Sequence, residues 1–139
     1  MRGYICRVKT NSRFMMVQHP EHNLLIAMAD TICKNKFVNV PGQENYRFHF
    51  AGTGEEVIST FSEHPEINLL IIHIDLPVIN GIEAIRRIKQ MNALLPVILL
   101  VSCINLESLR LAKNIGCNEI LQTPVDEKTL KAIIMKYLP

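Results

Sequence analysis

Two uninterrupted apolar runs limit what this chain can fold into. The segments LLII at 69–72 and PVILLV at 96–101 carry no polar side chain. A strand with one face in water alternates apolar and polar residues, whereas an unbroken short run needs cover on both faces. Each run is therefore read as a central strand. Patterns of both periods alternate around them. FMMV (14–17) reads as a first strand, and Leu25, Met28 and Ile32 then recur at helical spacing. YRFHF (46–50) alternates as a one-sided edge strand would. Thr53 and Glu56 have capping-box spacing, and Val57, Ile58 and Phe61 follow before Pro65 halts the helix. After the 69–73 strand a third helix turns Ile82, Ile85 and Ile88 inward and Glu83, Arg86, Arg87 and Lys89 outward. Leu109, Ala112 and Ile115 mark a fourth helix closed by Gly116. NEILQ (118–122) is a short edge strand. Asp126 caps a fifth helix carrying the stripe Leu130, Ile133, Ile134, Tyr137 and Leu138. The longest loop is expected near 39–45. Strands alternating with helices predict an α/β fold, a five-stranded parallel sheet with helices on both faces and right-handed crossovers. Ligand chemistry belongs at the carboxyl edge of such a sheet.

At 139 residues the chain has the size of one domain, and 48% hydrophobic against 20% charged residues makes it globular. No window approaches a membrane span, and the mixed, polar start does not resemble a signal peptide. Cys6, Cys33, Cys103 and Cys117 show no metal or redox spacing and fit free thiols in a reducing cytoplasm. Arg2, Arg7, Lys9 and Arg13 face no acid within 1–13, while the whole chain nets +2, so the remainder is about −2. Residues 1–13 are read as a basic extension, either a mobile terminus or an arm toward an acidic partner, and 14–138 as the folded domain. The body is too weakly charged to serve as a nucleic-acid platform.

LLIIHIDLPVINGIEAIRRIK, LPVILLVSC and ILQTPVDEKTLKAII resemble the receiver domain of response regulators. Pro77, Gly81, Ser102 and Pro124 fall at that family's spacing, and the likeness extends over about residues 14–138. The resemblance implies a flavodoxin-like receiver fold with strand order 2-1-3-4-5. It also implies a phosphoacceptor aspartate at the end of the third strand, four residues before the proline and eight before the glycine. Both counts arrive at His73. Asp75, two positions on, matches the residue whose backbone carbonyl faces the metal. The acidic pair that follows the first strand and holds Mg²⁺ matches Gln18 and His19 on this reading. The lysine before the last proline is Thr123, and the switch aromatic of the fifth strand is Ile120. Only the hydroxyl, Ser102, remains. The resemblance further implies a cis Thr123–Pro124 bond.

Aspartyl phosphorylation needs an acceptor carboxylate, a charge-neutralising metal and a cation that holds the product. With all three replaced, a phosphorylation-independent pseudo-receiver is expected, with no enzymatic activity and no cofactor. Mg²⁺ requires oxygen ligands, which Gln18, His19 and His73 do not furnish as a set. His73 is read first as a strand-end histidine with local hydrogen bonds. Its alternative is a weak transition-metal pair with His19, Gln18, Glu21 or Cys103 supplying a third ligand. Phosphorylation of His73 or Asp75 lacks a supporting metal site. Ser102 as a nucleophile with His73 as base lacks an oxyanion device. AGTG (51–54) is a capped turn rather than a phosphate loop. The module is expected to act by protein–protein contacts through its fourth helix, fifth strand and fifth helix, with Leu106, Arg110, Lys113, Glu119, Gln122, Lys128 and Lys131 on that face. The expected partner is a signalling protein, a histidine kinase or an output domain, or a second copy in a homodimer, with neither nucleic acid nor membrane bound. The alternative functions are a metal or small-molecule sensor using the vacated pocket with His19 and His73, or a receiver still phosphorylated at an atypical residue.

Overall fold

The structure, a computed structural model, describes residues 22–29 and 46–138. In chain order these form β1 (His22–Ala27), β2 (Tyr46–Ala51), α1 (Gly54–Glu63), β3 (Leu69–His73), α2 (Gly81–Met91), β4 (Val97–Val101), α3 (Leu106–Ile115), β5 (Glu119–Gln122) and α4 (Glu127–Tyr137). The strands make one parallel sheet in the order β2-β1-β3-β4-β5, as expected. The expected fourth and fifth helices are α3 and α4.

The first strand is a correction. Leu25 was expected on a helix but lies in β1, paired with His49 of β2 and Leu70 of β3, and Met28 directly follows the strand. The expected strand at 14–17 and the loop at 39–45 lie outside the described residues, as does Ile32. The physical reason is the ambiguity of a short apolar run. Leu24 to Ala27 are fully buried between two neighbouring strands, so period alone cannot separate strand from helix.

Side chains alternate between two cores. Leu25, Ala27, Leu70, Ile72, Val97 and Leu99 point to one face and pack against Val57 and Phe61 of α1, Ile85 and Ile88 of α2 and Ala112 of α3. Leu24, Ile26, Leu69, Ile71, Ile98 and Leu100 point to the other and meet Leu130, Ile134 and Leu138. This two-sided burial is why the β3 and β4 runs contain no polar residue.

Helix ends are set locally. Thr53 accepts the Glu56 N–H at 3.0 Å, but the Glu56 carboxylate returns to the Gly52 N–H at 2.7 Å rather than to the cap itself. Asn80, Asn105 and Asp126 cap the other three helices. Asn105 and Ser108 complete a reciprocal capping box, and Gly116 ends α3 in the left-handed conformation at φ 87°. Two outward or inward expectations change. Lys89 folds back, its Nζ donating to the carbonyls of Leu95 at 2.8 Å and Ala93 at 3.3 Å beyond the end of α2. Leu109 is exposed: the buried line of α3 runs through Ser108 and Ala112, and Leu109 sits at its margin.

Candidate functional site

The carboxyl ends of β3, β4 and β5 lie side by side. His73 pairs with Leu100, and Val101 pairs with Gln122. His73 therefore closes β3, Ser102 follows β4 and Thr123 follows β5 along one edge. The Ile74 N–H donates to the Leu100 carbonyl at 2.9 Å, and the Thr123 N–H to the Val101 carbonyl at 2.8 Å, extending the ladder by a residue on each side. The Thr123 hydroxyl also donates to the Val101 carbonyl, at 3.4 Å. The Thr123–Pro124 bond is cis, as the sequence led one to expect.

His73 is half-buried, and its Nδ1 accepts the Asp75 backbone N–H at 3.0 Å. That bond assigns the proton of the neutral ring to Nε2. The imidazole is thus engaged with its own loop. Asp75, Ser102 and Cys103 are exposed. The Gln122 side-chain oxygen accepts the Ile104 N–H at 2.9 Å, tying the loop after β4 to the end of β5.

The loop after β3 is tightly built. The Gly81 N–H reaches back to the Ile74 carbonyl at 2.9 Å. A side chain at Gly81 would place its Cβ 2.5 Å from the His73 carbonyl oxygen. At Gly54 a Cβ would lie 1.9 Å from the Ile79 carbonyl oxygen, and the Gly54 N–H donates to the Pro77 carbonyl at 3.2 Å. Both helices α1 and α2 thus begin pressed against this loop. Pro77 supplies a carbonyl that accepts from the Gly54 N–H, and Gly81 stands where the His73 carbonyl leaves no room for a side chain. The tip carries strain: Val78 has φ 71°, and the Ile79 N–H closes a γ-turn onto the Pro77 carbonyl at 2.9 Å. A β-branched residue is poorly suited to positive φ.

Gln18, His19 and Glu21 lie outside the described residues. The pairing of His19 with His73 is thus not described. With β1 at His22–Ala27, the two residues that follow the first strand are Met28 and Ala29, with Asp30 next in sequence but outside the described residues. Met28 is buried in the core and Ala29 is exposed. The reading of Gln18 and His19 as the metal-holding pair is displaced accordingly. LLIA at 24–27 is as unbroken as LLII, but so is FMMV at 14–17, so the run alone does not rank the two candidates. Among the described residues, those at this edge where the family's acceptor, metal pair and lysine belong are an imidazole, a thioether, a methyl group and a hydroxyl. This set does not fit Mg²⁺, a hard ion bound through several oxygens.

The family model for the response regulator receiver domain matches residues 25–135. The match starts within β1, in accord with a first strand at His22–Ala27. No curated protein matches the chain. Among solved structures, the chain is similar to a CheY-like response regulator receiver domain protein from Methanospirillum hungatei JF-1, at 23% identity and TM-score 0.74, covering 83% of this chain and 91% of that one. It is similar to the chemotaxis protein CheY4 of Vibrio cholerae at 17% identity and TM-score 0.77, covering 84% and 98%. A third, the CheX–CheY–BeF3–Mg+2 complex from Borrelia burgdorferi, gives 19% identity and TM-score 0.76, covering 86% and 91%. At such identities these likenesses speak for the fold. Among the described residues no helix is long and apolar enough to cross a membrane.

Proposed function

This chain belongs to the response regulator receiver domain family, the receiving module of two-component signalling, and from that premise we propose that it works without aspartyl phosphorylation, as a pseudo-receiver acting through protein–protein contacts. The observation that carries the reading is His73 at the end of β3, its Nδ1 held by the Asp75 N–H. An imidazole in that place forms no acylphosphate. Met28 and Ala29 bring no carboxylate to the positions after β1, and Thr123 brings no cation to the product. Loss of one group leaves room for compensation; loss of acceptor, metal ligands and cation together removes each source of transition-state stabilisation.

The contact surface in this reading is formed by α3, β5 and α4. Leu106 is 66% exposed and Leu109 43%, and Arg110, Lys113, Gln122, Lys128 and Lys131 are exposed around them. An apolar patch with a polar, mainly basic rim suits a protein partner. Glu119, expected on the same face, is instead half-buried and accepts from Lys136 Nζ at 2.6 Å and the Tyr137 hydroxyl at 2.7 Å. The partner is a signalling protein, a kinase or an output domain. Without a phosphoryl group, moving a two-state receiver from 1:99 to 99:1 needs about 5.5 kcal/mol of differential binding. That bias falls to the partner, or the domain stays in one state.

The test is incubation with Mg²⁺ and acetyl phosphate, followed by intact-mass and peptide mass spectrometry, with the fluoroberyllate analogue followed by thermal melting. The expected result is an unmodified chain and an unchanged melting temperature. A stable phosphoryl adduct on Asp75, Asp30 or His73 overturns the proposal.

A further inference from the structure

We propose that His49, His64 and Glu66 form a binding site for a divalent transition metal, zinc foremost, on the β2–α1 side of the sheet and away from the carboxyl edge. The three come from separate segments. His49 lies in β2 opposite Leu25, which in turn pairs with Leu70, the second residue of β3. His64 caps the end of α1, and Glu66 follows it by two residues in the connection to β3. One ligand atom from each lies within 4.8 Å of the other two. The imidazole centroids are 4.4 Å apart, and His64 Nδ1 is 3.2 Å from Glu66 Oε2.

Tetrahedral zinc holds nitrogen and oxygen donors at roughly 2.0–2.2 Å, which puts neighbouring donors about 3.3 Å from one another. The His64–Glu66 pair already has that separation. The His49 ligand atom lies within 4.8 Å of the other two, so it has at most about 1.5 Å to close.

Local chain geometry prepares the pair. Pro65 stands between His64 and Glu66 and fixes the backbone there. The Ile67 N–H donates to the His64 carbonyl at 3.1 Å, closing a turn with proline at its second position. On the other side of the site, Asn23 Oδ1 lies 3.5 Å from His49 Nε2. Its segment is anchored by reciprocal bonds: the Asn23 N–H to Asn68 Oδ1 at 2.8 Å, and the Asn68 N–H to the Asn23 carbonyl at 2.7 Å. Asn23 is thus placed to orient the His49 ring as an outer partner of a metal ligand.

Two imidazoles and one carboxylate select zinc, nickel or copper over magnesium or calcium. An ion here would clamp the edge strand β2 to the end of α1 and to the approach to β3, and would stabilise the folded state alone.

Zinc is titrated into the full chain, purified without a histidine tag, by calorimetry and thermal melting, with magnesium in parallel. The expected result is one zinc per chain, a raised melting temperature, no response to magnesium, and a visible ligand-field band when cobalt replaces zinc. His49→Ala, His64→Ala and Glu66→Gln should each weaken zinc binding at least tenfold and remove the cobalt band. His19→Ala with His73→Ala should leave both unchanged. Glu66 is exposed, so Glu66→Gln keeps the test valid even if a histidine variant fails to fold. Absence of zinc binding to the wild-type chain overturns the proposal, as does tight binding that survives Glu66→Gln or the joint loss of His49 and His64.

Discussion

Replacing Gly81 by alanine tests how the loop bearing His73 is packed. The new Cβ would meet the His73 carbonyl oxygen at 2.5 Å and the Ile74 Cα at 2.8 Å, where ordinary contact begins at 3.4 Å. Backbone must therefore move by about 0.9 Å, the difference between 3.4 and 2.5 Å. Both obstructing groups are main chain at the end of a central strand, so no side-chain rotation relieves the contact. Overpacking of this kind costs about 1–3 kcal/mol. The movement also strains the 2.9 Å bond from the Gly81 N–H to the Ile74 carbonyl, of which about 0.5–1.5 kcal/mol is at stake. Alanine returns about 0.4–1 kcal/mol through the unfolded chain and helix propensity. The net loss is about 1–3 kcal/mol, or roughly 3–10 °C in melting temperature for a chain of this size. Urea unfolding should show a lower midpoint at an unchanged slope. Gly116→Ala is the counterpart: its nearest neighbour would be Lys89 Cε at 3.7 Å, so there is room, but φ is 87°. It should lose about 1 kcal/mol through conformation alone, and Gly116→Asn should recover part of that. A Gly81→Ala protein as stable as wild type would refute the steric argument.

Three further outcomes follow from single groups. Burial pushes the Cys117 thiol up to about 11, partly offset by Lys89, whereas Cys103 is exposed. Alkylation at pH 8 followed by peptide mapping should therefore modify Cys103 well before Cys117, and equal rates would refute the burial argument. The same shift has a defined sign. Below pH 9 both folded and unfolded chains keep the Cys117 proton; between 9 and about 11 the unfolded chain releases it first. Stability from this group is full below pH 9 and declines toward pH 11, by about 1–2 kcal/mol after allowance for partial exposure. A Cys117→Ser chain should lose that increment of alkaline sensitivity. Finally, Val78 is 75% exposed at φ 71°, so Val78→Asn gives up little packing and relieves the left-handed strain. A gain of about 1 kcal/mol in urea unfolding is expected, and a loss of stability would show that the side chain contributes more than its exposure suggests.

Features encoded within a few neighbouring residues were legible in the chain itself. LLII and VILLV announce strands covered on both faces. The spacing in Thr53–Glu56, Gly116 and Asp126 announces helix ends, because a cap is satisfied by backbone groups three or four residues away. The spacing of Pro77 and Gly81 is likewise local, and it is the resemblance to the receiver family, applied to that spacing, that implies the acceptor position for His73. The first strand was not legible in that way. LLIA at 24–27 and FMMV at 14–17 are both short apolar runs, and only pairing with β2 and β3 selects the former. That choice moved the residues leaving the strand from Gln18 and His19 to Met28 and Ala29. Lys89 looked like a surface charge because its contacts, the Ala93 and Leu95 carbonyls, depend on how the chain turns after α2. The histidines show the limit most clearly. Sequence suggested His19 with His73, of which His19 lies outside the described residues; among the described residues the fold brings His49 to His64 and Glu66, which no sequence pattern joined. Fifteen positions separate those two histidines, and their meeting depends on strand register and on where α1 stops. Period and propensity govern what a segment becomes; the packing of segments across the sheet governs which side chains share a site.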